Sequence, residues 1–92
     1  MANEKEPFFW EDSKMTKVHC CQKKIDDIII QYFIVKLDGS YVLSRQSFPK
    51  SLPQCKVWKQ LEGGITLLSE AKRLAKKDFS HLKKGKKSIF EG

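Results

Sequence analysis

The sequence predicts an α+β domain, a three- to four-stranded antiparallel sheet with one long C-terminal helix packed on it. Three observations carry that reading. Residues 28–37 are a run of β-branched and aromatic side chains, Asp38-Gly39 follows as a hairpin turn, and residues 67–83 place apolar side chains at helical spacing. At 92 residues the chain has the length of one domain. Its 40% hydrophobic and 11% aromatic content suits a folded chain rather than a disordered one. A domain this small commits most of its apolar side chains to one core.

Residues 1–12 read as a flexible acidic arm, with Glu4, Glu6, Glu11 and Asp12 against Lys5 around the aromatic cluster Phe8-Phe9-Trp10. Residues 13–84 form the domain, and residues 85–92 a short basic tail. A first strand is expected over 16–23, turning at Asp26-Asp27. The run 28–37 is apolar on both faces: Ile28, Ile30, Tyr32 and Ile34 on one, Ile29, Phe33, Val35 and Leu37 on the other. That is the pattern of a strand covered on both sides. Asp38-Gly39 supplies the positive φ values of a two-residue hairpin, and residues 40–47 return as the partner strand. Pro49 and Pro53 make 48–54 a loop, because proline donates nothing to a ladder and restricts the residue before it. Residues 55–61 alternate Cys55, Val57 and Leu61 with Lys56, Trp58 and Gln60, a last strand ended by Gly63-Gly64.

Thr66 stands where a helix N-cap belongs. At about 100° per residue, Leu67, Leu68, Ala71, Leu74, Ala75, Phe79 and Leu82 share an arc of roughly 140°. Gly85 is the expected helix stop. Asp78 falls inside the apolar arc. The ordinary account seats it at the edge beside a lysine; the sharper one buries it with a raised pKa.

Charge points to function more than any motif does. The net charge is +7, and a small basic protein attracts polyanions. Residues 70–92 hold eight basic and three acidic groups, the highest basic density in the chain. Lys72, Arg73, Lys76, Lys77, Lys83 and Lys84 lie outside the apolar arc, and Lys86 and Lys87 extend them as a flexible basic tail. Such a face neutralises phosphates and gains from counterion release. Lysine rather than arginine favours backbone contact over base reading. Strands backed by a helix also form a DNA-binding layout in which the sheet enters the major groove. The segment 58–71, WKQLEGGITLLSEA, resembles the strand–glycine–cap–helix join of AP2-type and integrase arm-binding domains. The sheet-face contacts expected on that layout are Arg45, Lys56, Trp58 and Lys59, although core or sheet cover is the ordinary role for Trp58.

The expected function is therefore non-enzymatic binding of nucleic acid, DNA or RNA. The rival is a protein-interaction module, such as an adaptor or inhibitor of phage or pathogen origin. It would dock the basic helix on an acidic surface and use Phe8, Phe9 and Trp10 for specificity. Surface attachment to a membrane ranks third, since the helix's apolar face is needed for the core. No G-x-S-x-G, P-loop or H-E-x-x-H motif is present, so no catalytic residue and no cofactor is expected. His19, Cys20, Cys21, Cys55 and His81 lack metal-site spacing, so no metal is expected. Three cysteines, two of them adjacent, argue against a disulfide framework and for a reducing cytoplasm. No run approaches the roughly 20 apolar residues of a membrane span, and the polar opening residues do not read as a secretion leader.

Overall fold

The computed structural model describes residues 10–13 and 18–90, and shows an antiparallel sheet with one helix on it. The strands are β1 (Glu11–Ser13), β2 (Val18–Ile25), β3 (Ile28–Leu37), β4 (Ser40–Pro49) and β5 (Val57–Ile65), followed by α1 (Leu68–Lys83). They pair in chain order, each antiparallel to the next. Four long strands match the predicted sheet. The three-residue β1 is an addition: Glu11, Asp12 and Ser13 pair with Cys20, His19 and Val18, at positions assigned to the arm and the domain's start.

Two tight hairpins set the register. Ile25 pairs with Ile28 across Asp26-Asp27, and Leu37 with Ser40 across Asp38-Gly39. Asp38 and Gly39 both have positive φ, 52° and 83°, the backbone twist that two-residue hairpins favour. Period-two alternation then divides the sheet into two faces. Ile30, Tyr32 and Ile34 of β3 point toward α1 and join Leu43, Leu61, Ile65, Ala71, Ala75 and Phe79 in the core. The two fully buried alanines let the helix backbone approach β3, β4 and β5 closely.

Several expectations change. Among the described residues β3 is covered by a helix on one side only: Ile29, Phe33 and Val35 are half-buried on the face that α1 does not reach. β4 runs on through Phe48 and Pro49, because Pro49 occupies the strand end opposite Ile28. The connection that follows holds two successive turns, Leu52 N–H to the Pro49 carbonyl at 3.0 Å and Cys55 N–H to the Leu52 carbonyl at 2.9 Å. β5 starts at Val57 rather than Cys55 and continues through Gly63-Gly64 to Ile65. Its pairing with β4 slips twice between Tyr41 and Ser44, and Gly64, at φ 68°, supplies the positive φ such an irregularity requires.

The N-cap is Leu67, not Thr66, and no side chain caps the helix start. Leu67 is 62% exposed and does not belong to the packed stripe. The helix stop is as predicted. Gly85, at φ 77°, donates to the Leu82 carbonyl at 3.0 Å, and Lys86 N–H reaches the His81 carbonyl at 2.9 Å. These are the two bonds of a Schellman turn, which sends the chain back toward the core. Ser88 is buried and Phe90 packs on the core cluster. Lys86 and Lys87 thus sit on a loop anchored at both ends rather than on a flexible tail.

Candidate nucleic-acid interface

Two surfaces were expected to carry contacts, and the structure separates them and adds a third. The first is the outward side of α1. Lys76, Lys77 and Lys83 on the helix are exposed, as the helical wheel requires, and so are Lys84, Lys86 and Lys87 after its end. Among the described residues no carboxylate pairs with any of the six. Two members of the expected set are engaged elsewhere. Arg73 forms a two-bond pair with Glu70, at 3.2 and 2.6 Å. That hydrogen bonding holds the Glu70 carboxyl below its ordinary range and raises Arg73 above its own. Lys72 lies over the Trp10 ring, 5.7 Å from its centroid. Trp10 itself is half-buried and packs against the core cluster. Phe8 and Phe9 lie outside the described residues.

The second is the set Arg45, Lys56, Trp58 and Lys59, and here Arg45 is a correction. It points under the helix, where Arg45 Nη1 donates to Asp78 Oδ2 at 2.7 Å and its side chain is 12% exposed. Lys59 pairs in register with Arg45, belongs to the same covered face and is half-buried. Trp58 and Lys56 are exposed. Trp58, 57% exposed, is a surface ring rather than a core or covering aromatic.

Asp78 explains why Arg45 turns inward. The carboxylate is fully buried and accepts from Tyr32 Oη at 2.7 Å, from Arg45 Nη1 and from Ser88 Oγ. It neither sits at an edge nor pairs with a lysine. The hub joins β3, β4, α1 and the returning C-terminal segment in one polar network, satisfied as a buried charge must be. Burial, followed by the hydrogen bond to Asp78, pushes the Tyr32 phenol well above its ordinary value.

The third surface was missed. On the face of the sheet opposite α1, Gln22, Gln31 and Gln46 stand side by side on β2, β3 and β4. Gln46 Nε2 donates to Gln31 Oε1 at 2.8 Å, and Gln31 Nε2 to Gln22 Oε1 at 2.9 Å. Trp58 continues the row on β5, opposite Gln46. Its ring lies 5.6 Å from that of Phe33, tilted by 31°. Lys56 Nζ rests 5.6 Å from the centroid of Phe48, at the end of the same face. The sequence held one hint, since Gln31 interrupts an otherwise apolar run, but only the register aligns it with Gln22 and Gln46.

Cys21 is buried on the helix face and Cys20 half-buried on the other, as adjacent strand residues must be, and the three cysteines form no disulfide. Among the described residues no three of His, Cys, Asp and Glu converge as a metal site, and no helix is long and apolar enough to cross a membrane. No protein-family model, no curated protein and no solved structure matches the chain.

Proposed function

We propose that this protein is a non-enzymatic nucleic-acid-binding protein that grips phosphates with the outward face of α1 and the loop after it. The observation that carries the proposal is the set of six exposed lysines, Lys76, Lys77, Lys83, Lys84, Lys86 and Lys87, which have no carboxylate partner among the described residues. The Schellman turn at Gly85 and the burial of Ser88 hold the last two beside the helix end, so they act without first being ordered. Cations there also face the negative end of the helix dipole. Lysine ammonium groups act as point charges, which suits phosphate contact without sequence reading. The cysteine thiols suit a reducing, cytoplasmic setting for this activity.

The test is a titration of labelled duplex and single-stranded oligonucleotides at several salt concentrations. Each phosphate neutralised contributes about 0.9 to the slope of log affinity against log salt on duplex, and about 0.7 on single strands. Engagement of four of the lysines predicts slopes of about −3 to −4. Lys76→Glu with Lys83→Glu should flatten the slope and weaken binding uniformly across sequences. Absence of binding at low salt, or binding indifferent to these reversals, refutes the proposal.

A further inference from the structure

We propose that the open face of the sheet is a platform for unpaired bases, which makes single-stranded nucleic acid the preferred ligand. This deepens the phosphate-binding reading and rests on it for the class of polymer, but it uses different residues on the opposite side of the sheet.

The residues on that face fit bases better than they fit another macromolecule. Trp58 offers an exposed ring that packs at a tilt against Phe33, and half-buried Phe48, with Lys56 over its ring, adds a second aromatic at the end of the face. A base stacks on such rings whatever its identity, because every base has a π face. Four-stranded sheets that present aromatic side chains hold two or three unpaired bases in this way. The glutamine row lies beside Trp58 and crosses three strands. A primary amide both donates and accepts, as the edges of unpaired bases do. The row spans about 10 Å from β2 to β4 at the usual strand spacing, and Trp58 adds one step more.

Charge favours the same occupant. Lys24 and Lys56 flank the face, both exposed; strands β2–β5 themselves carry one carboxylate, Glu62, and the other acidic groups between them, Asp26, Asp27 and Asp38, sit in the hairpin turns. A second copy of the chain would bring another +7 against this face, so self-association is opposed electrostatically while a polyanion is drawn in. Duplex DNA in its major groove is usually read by arginine on guanine edges. The only arginine in the sheet, Arg45, is held on the other face by Asp78. The face therefore has flat rings and short amides but no arginine to reach base edges in a groove.

The experiment uses the full chain with a labelled oligothymidylate of about 12 nucleotides, within the usual site range, and a duplex of the same length. Trp58→Ala should weaken oligothymidylate binding at least about fivefold, the lower end of ring–base stacking, and leave duplex binding and the salt slope unchanged. In a Trp10→Phe background Trp58 is the sole tryptophan, and its emission should be quenched at saturating oligothymidylate. Gln31→Ala with Gln46→Ala should weaken the oligonucleotide without affecting the duplex. Because Trp58 is exposed, its removal leaves the core intact, and an unchanged unfolding midpoint verifies this. Wild-type affinity in Trp58→Ala, or unquenched Trp58 emission, overturns the platform while the helix reading stands. Sensitivity to Trp58 with indifference to the lysine reversals does the reverse. A concentration-dependent dimer that Trp58→Ala dissociates would also overturn it, by giving the face to a second copy. Binding of neither polymer ends both readings.

Discussion

Replacing Asp78 by alanine is expected to destabilise the domain by about 3–5 kcal/mol, the range for removing one partner of a buried ion pair. The structure sets the terms. The carboxylate is wholly inaccessible, and it receives Tyr32 Oη and Arg45 Nη1 at 2.7 Å each, with Ser88 Oγ on its other oxygen. Without it, an arginine whose side chain is 12% exposed has no counter-charge, and a buried phenol loses its acceptor. A chain of this length has a total stability of about 5–14 kcal/mol, so the loss is a large share of the whole. It should lower the melting temperature by at least about 12 °C, at roughly 4–8 °C per kcal/mol for a small domain. The assay is urea denaturation followed by circular dichroism on Asp78→Ala, Arg45→Ala and the double variant. Because the two side chains touch, the double variant should lose about 1–3 kcal/mol less than the sum of the singles. Arg45→Met with Asp78→Leu removes both charges and should restore much of the stability. If Asp78→Ala costs under about 1 kcal/mol, or if the two single losses add, the hub is not the anchor that its burial implies.

Further outcomes follow from the same contacts. Tyr32 keeps its proton in the folded protein well above the ordinary 10.0, so its contribution is present below pH 10 and is lost as pH rises beyond it. Above that pH the wild type should lose up to about 1.4 kcal/mol per pH unit relative to Tyr32→Phe, measured by urea midpoints in parallel buffers. Ser88→Ala should cost about 1 kcal/mol and raise amide exchange over residues 86–90, because it removes the tie that returns the chain to Asp78. Ile34→Ala, at a wholly buried position beneath α1, should cost about 2–5 kcal/mol in the same assay. Gly39→Ala meets no neighbouring atom within 4 Å, so its cost of about 1–2 kcal/mol should come from the positive φ alone.

The legible parts of this fold were those fixed by neighbours in sequence. The β3–β4 hairpin follows from Asp38-Gly39 between two apolar runs, and the end of α1 from Gly85 after the last periodic residue. The parts misread depend on pairing between distant segments. Pro49 looked like a loop residue because proline lacks an N–H, yet a strand end has a place for it opposite Ile28. Gly63-Gly64 looked like a terminator, yet the pairing of β5 with β4 slips there and continues. Thr66 has the right chemistry for a cap, but the chain enters the helix one residue later. Alternation in β3 correctly divided its side chains into two faces and could not say how many of them the chain would cover.

Among the described residues α1 covers one face of the sheet, which leaves Ile29, Phe33, Val35 and Phe48 half-buried and Trp58 exposed on the other. Composition alone would count Arg45 with the lysines as one more ligand for phosphate. Its pairing with Asp78 removes it from either surface and places it in the core instead. The same pairing leaves the open face with rings and amides, and with Lys24 and Lys56 as the cations that flank it. Two functional expectations therefore come from opposite sides of one sheet: charge without shape on the helix, and shape with little charge on the strands. A ligand with a charged backbone and flat, unpaired bases meets both requirements in one polymer. A reversal on the helix and a truncation at Trp58 should accordingly act on different quantities, the first on the salt slope and the second on the preference for single strands.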